Sequence, residues 1–127
     1  MTSEEIDRWF QASSAFFEDI DKAAERFVAV VCFDDRTAIA SGAIELLAIL
    51  IRGQELPPVP DPDAQRHFSA GLASYRDAVE TLARTDDEAE MSRAIRAINS
   101  SNGEFARMYE SLCRAPGWGP RDLSVRC

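Results

Sequence analysis

The chain carries one histidine, His67, and three cysteines, Cys32, Cys113 and Cys127, so side chains suited to nucleophilic, general-base or soft-metal chemistry are scarce. His67 has Asp63 one helical turn before it, and a carboxylate at that spacing would raise the proton affinity of the imidazole. Covalent catalysis would also need a nucleophile within reach of such a base, and no serine or cysteine stands at an obvious nucleophile position. The cysteines form no CxxC pair and have no histidine at ligand spacing, and the Glu-x-x-His of di-iron bundles is missing. Carboxylates for a magnesium-dependent hydrolase would be sought at Glu18 and Asp21, or in the run Asp86-Asp87-Glu88-Ala89-Glu90. The first pair points away from the apolar stripe of its helix, and the second opens a helix, where acids suit the dipole. No enzyme activity, metal or cofactor is therefore expected.

The run His67-Phe68-Ser69-Ala70-Gly71 resembles, in its histidine and glycine, the motif of histidine phosphotransfer domains. Those domains are helical bundles of this size, with an exposed histidine and a small glycine four residues later that lets a response regulator approach. The resemblance implies a phosphohistidine at His67. The leucine and lysine of the motif are replaced here by Ser69 and Ala70.

Stepping from residue chemistry to bulk properties, 127 residues make one domain, long enough to bury a core without metal or disulfide support. The net charge of −8, from 22 acidic and 14 basic residues, disfavours phosphate backbones and anionic membrane surfaces. It suits solubility or a basic partner. An odd cysteine count and an acidic start, Met-Thr-Ser-Glu-Glu, predict a reducing cytoplasmic location without a disulfide framework.

The elements that would position these residues are helices. Thr2 and Glu5 form a capping box, and Ile6, Phe10, Ser13, Phe17, Ile20, Ala24, Phe27 and Val31 follow in steps of three and four. A second stripe, Trp9, Phe16, Ala23 and Val30, widens that face, and the helix should run from Ser3 to Cys32. Asp34 or Asp35 caps a second helix over residues 37–52, closed by Gly53 as a residue just past its end. Ile39, Ile44, Leu46, Leu47, Ile49, Leu50 and Ile51 sweep roughly 220° of it, which predicts a buried central helix or a dimer seam. The run is too short for a membrane span, which takes about 20 apolar residues.

Residues 54–60, with three prolines, should be an extended linker. Asp61 and Pro62 open a third helix with its stripe on Ala64, Phe68, Gly71, Tyr75, Ala78 and Leu82. Thr85 and Glu88 form a second capping box before a fourth stripe of Met91, Ile95, Ile98, Asn102, Phe105, Tyr109 and Leu112. Within it, Asn99 to Gly103 is a run of poor helix formers, a candidate kink or, with Ser13 and Ser41, a buried polar layer.

The expected architecture is all-α, an antiparallel up-down four-helix bundle over residues 1–115 with a loosely ordered tail over 116–127. Its expected function is protein–protein interaction or regulation, with self-association as a homodimer through Ile44, Leu47, Ile49 and Ile51. The topology would also gather Trp9, Phe10, His67, Phe68, Tyr109 and Trp118 at one end, as a small-molecule pocket or a partner-binding patch.

Overall fold

Thr2 and Glu5 cap each other at the start of α1 (Ser3–Val31): the Glu5 N–H donates to Thr2 Oγ1 at 3.2 Å, and the Thr2 N–H reaches Glu5 Oε2 at 3.4 Å. Asp35 opens α2 (Arg36–Gln54) by accepting the Ala38 N–H, and Asp61 opens α3 (Pro62–Arg84) by accepting that of Ala64. Each thereby satisfies an orphan donor of the first turn. The structure, a computed structural model, describes residues 2–31 and 35–118. Among them it is all-helical, with four helices and no strand.

Two boundaries differ from the expected ones. The Thr85–Glu88 capping box does not form. Asp87 caps α4 (Glu88–Leu112), while Thr85 ends α3, accepts the Asp87 N–H and donates to Glu90. Gly53 does not end α2, which continues through it to Gln54. The glycine is there for space: a Cβ at Gly53 would stand 2.6 Å from Phe16 Cε2. The run 99–103 neither kinks nor stops α4. Ser101 and Ser13 are buried, but each bonds a carbonyl of its own helix, at Ala97 and Phe10, and Ser41 is exposed, so no shared polar layer exists.

Each helix packs on its neighbour in the chain, most extensively α3 on α4, then α2 on α3 and α1 on α2. The α1 and α4 backbones come together far less. Charged pairs tie the rims: Arg26 with Glu45 and Arg52 with Asp19 between α1 and α2, and Asp63 with Arg114 beyond α4. The segment between α2 and α3 is held from two sides, by Trp9 Nε1–H donating to the Pro57 carbonyl at 2.7 Å and by the Val59 N–H donating to Gln65.

The core runs through Ile6, Trp9, Phe16, Ile39, Leu46, Leu50, Phe68, Leu72, Val79, Leu82, Met108 and Leu112. The second helix is not surrounded, as its 220° arc led us to expect. It has close neighbours on two sides only, so Ile39, Ala43, Leu46, Ile49 and Leu50 are buried while Ile44 stays 60% and Ile51 39% exposed. By length and apolarity alone α2 meets the composition of a membrane-crossing helix, contrary to the expectation that it would be too short. Its charges Glu45 and Arg52 are paired with α1. Cys113, just past α4, is disulfide-bonded, against the expected absence of disulfides; Cys32 and Cys127 lie outside the described residues.

Candidate functional site

Five of the six residues expected to gather at one end do so. Trp9 meets Phe10 and Phe68 edge-on, with ring centroids 5.1 and 5.3 Å apart, and Phe10 is stacked between Tyr109 at 5.6 Å and Trp118 at 5.7 Å. They fill the end with their own rings instead of enclosing a pocket. Trp9 is only 4% exposed and Phe68 3%. Trp118 stacks on Phe10, so the start of the expected loose tail is attached; residues 119–127 lie outside the described set.

His67 stands apart from that cluster. Its Nδ1 lies 2.8 Å from Glu104 Oε2 on α4, and Arg107 bonds the other carboxylate oxygen. The hydrogen bond from His67 first, with Arg107 alongside, holds the Glu104 carboxyl below the ordinary carboxylate range. The carboxylate takes the Nδ1 side of the ring, so that nitrogen is not an open phosphoryl acceptor. The glycine of the motif is not an open notch either: Gly71 is buried under Phe105 of α4, whose Cε1 would be 2.8 Å from a Cβ there.

The concave site lies between α1 and α4. Beyond the Phe10–Tyr109 stack the α1 and α4 backbones do not close on each other, and a groove of about 560 Å³ lies between them. Phe17, Ile20, Ala24, Val28 and Val31 form the α1 wall, Ile95, Ile98, Phe105 and Tyr109 the α4 wall, and Leu50 and Tyr75 the floor. From residue 17 to 31 on one wall and 95 to 109 on the other, the trough is about 21 Å long at 1.5 Å rise per residue. Val28 is the most exposed large apolar residue among those described, at 63%.

Glycine notches shape these walls. Phe27 sinks towards Gly42, Phe16 towards Gly53 and Phe105 towards Gly71, and a Cβ at any of the three would meet the ring at 2.6–2.8 Å. All three rings also line the groove. Small backbone on the neighbouring helix thus lets a bulky ring recede, leaving space in front of it.

Few polar groups interrupt the apolar lining: Asp21 from α1, Tyr75 from α3, and Asn99 and Asn102 from α4. Asp21 is exposed, as expected, and also borders the groove, where partial burial pushes its carboxyl above the usual range. The Tyr75 ring is buried, and burial first, then the Asp21 charge, pushes its phenol above the ordinary value. The expected α4 core stripe is partly reassigned. Met91 and Leu112 are buried as expected, but Ile95, Ile98, Phe105 and Tyr109 are half-buried groove wall and Asn102 is exposed, while Ala94, Ser101 and Met108 are buried in their place. Small and flexible residues there allow the close α3–α4 packing.

A second surface is the outer face of α2. Ile44, Leu47, Ala48 and Ile51 share one stripe at helical spacing; Leu47 is half-buried and the other three are exposed. Ile49, expected in the same interface, is 7% exposed and belongs to the core, because it lies about 140° round the helix from Ile44. Among the described residues no group of histidine, cysteine or acidic side chains is placed to hold a metal. No protein-family model, curated protein or solved structure matches this chain.

Proposed function

We propose that this chain is a non-catalytic interaction module that holds a helix of a partner protein in the α1–α4 groove. The observation that carries the reading is the groove itself: two helices that supply apolar walls about 21 Å long without closing on each other. A rod-shaped, half-open trough suits an amphipathic helix, whose anchors recur every three or four residues, better than a compact metabolite. In an up-down-up-down antiparallel bundle the two walls run side by side along their length. That order is supported by Phe27 meeting Gly42 while Phe16 meets Gly53, and by His67 meeting Glu104 while Asp63 meets Arg114. The extended linker after α2 then returns past the start of α1, where Trp9 bonds Pro57.

The test uses a fluorescent synthetic peptide of 18 residues or so, an uncharged-faced amphipathic helix with leucines at three–four spacing. It should bind the wild-type chain and fail to bind Ala24→Trp, which plugs the trough from the α1 wall. Equal binding by both proteins, or by neither, removes the groove as the interaction site.

A second reading, self-association as a homodimer, is favoured by the exposed Ile44 and Ile51 on an uncharged stripe. Two antiparallel copies of α2 crossing near Leu47 and Ala48 would set each Ile44 beside the other copy's Ile51. Light scattering should then give twice the chain mass for the wild type and the single mass for Ile44→Lys; a monomeric wild type ends this reading.

A further inference from the structure

We propose that the helix taken up by the groove is a basic one, which places a single lysine or arginine of its inner face against Asp21, with Tyr75, Asn99 and Asn102 as the polar surround. This rests on the groove being the interaction site and adds what the site selects.

The lining contains one charged side chain, and it is an acid. Asp21 has no ion pair among the described residues, although its neighbours on α1 do: Glu18 pairs with Lys22 and Asp19 with Arg52. It still sees solvent at the mouth of the trough, and that solvent is what a docked helix would remove. A partner with only hydrocarbon on its inner face would leave a carboxylate covered and uncompensated, which is among the costlier outcomes in protein association. A partner with an acid there would add repulsion. Only a cation turns the covering of Asp21 from a penalty into an attraction.

The residues round Asp21 fit that role. The Tyr75 ring is buried, yet its hydroxyl bonds no described residue and is not sealed from solvent, so its oxygen opens onto the groove. Asn99 and Asn102, from the facing wall, bring amide carbonyls that can accept from an ammonium or guanidinium. Asp21 stands about 6 Å from the Phe17 end of its wall, with apolar residues on either side of it. The inner face of the matching helix is therefore apolar, basic, apolar. A net charge of −8 also draws a basic peptide in from a distance and repels an acidic one.

Two synthetic amphipathic peptides decide the matter, identical except for lysine or norleucine at the inner position nearest Asp21, each titrated by fluorescence anisotropy. The lysine peptide should bind the wild-type chain about tenfold more tightly, the scale of a partly exposed charge pair. With Asp21→Asn, whose fold is checked by its melting curve, the two peptides should bind alike, and added salt should weaken only the lysine peptide on the wild type. If both peptides bind the wild type equally, the charge selection is wrong and the groove reading survives. If neither binds, both fall. A wild-type mass of two chains that drops to one as the lysine peptide is added would assign the groove to a second copy and overturn the proposal.

Discussion

Replacing glycine by alanine at two places in these helices should move stability in opposite directions, and the reason is visible in the packing. Gly103 lies within α4 with no heavy atom nearer to a would-be Cβ than Arg107 Nη1 at 4.0 Å. There the substitution acts only on backbone freedom and helix propensity, a gain of about 1 kcal/mol. For a domain of this size that is a rise in Tm of about 3–5 °C. Gly53 receives the same intrinsic gain, but its Cβ would lie 2.6 Å from Phe16 Cε2 and 2.7 Å from Cζ. Phe16 is 6% exposed, so its ring cannot swing aside freely. Overpacking of a buried site costs about 1–3 kcal/mol, and two atoms of one immobile ring place Gly53 at the upper end. The net expectation is a loss of about 2 kcal/mol, with Tm lowered by roughly 6–10 °C. Phe16 also lines the groove, so disturbing it by Gly53→Ala should weaken peptide binding as well. Thermal denaturation followed by circular dichroism measures both variants. A Gly53→Ala chain that melts at or above the wild-type temperature would refute the seating of Phe16 over Gly53, and with it the account of how the groove is kept open.

Removing the Trp9 hydrogen bond by Trp9→Phe leaves the Pro57 carbonyl without its donor and should cost about 1–2 kcal/mol, read from chemical denaturation. Asp87→Ala should lower stability by about 1 kcal/mol, while Glu88→Ala should leave the start of α4 almost unaffected, since Asp87 and not a Thr85–Glu88 box caps it. The Tyr75 phenol should titrate above its ordinary value near 10, seen as phenolate absorbance missing in Tyr75→Phe, and Asp21→Asn should lower its midpoint. Because the fold holds this phenol neutral, its contribution to stability is present below the unfolded-state value and is lost as pH rises through the folded-state value. A Tyr75 midpoint at or below the ordinary value would contradict its burial beside Asp21.

The helices were readable because their signals are local. Asp35, Asp61 and Pro62 act through bonds within four residues, and the structure keeps them where the residue order puts them. Competition between equally local signals was harder: Thr85 and Asp87 are both good caps, and spacing alone did not rank them. Gly53 shows a different limit, since a glycine that ends a helix and one that admits a neighbouring ring look alike until the neighbour is known. The groove escaped because a wheel sorts residues into one inside and one outside. Both α1 and α4 carry two adjacent apolar stripes, one packed in the core and one along the trough. The widened face of α1, with Trp9 and Phe16 beside Phe10 and Phe17, was the clue, and its meaning depends on where α4 stands.

The stacking of every helix on its predecessor gives the molecule the plan of a partly opened fan, with a first and a last blade that lack an outside brace. What joins those blades is a rivet of rings, Phe10 between Tyr109 and Trp118, near one tip. The first blade is also seated inwards, with Trp9, Phe16 and Phe17 against Phe68 of α3. At that tip the girth of the slot is therefore set by stacked side chains and not by touching backbones.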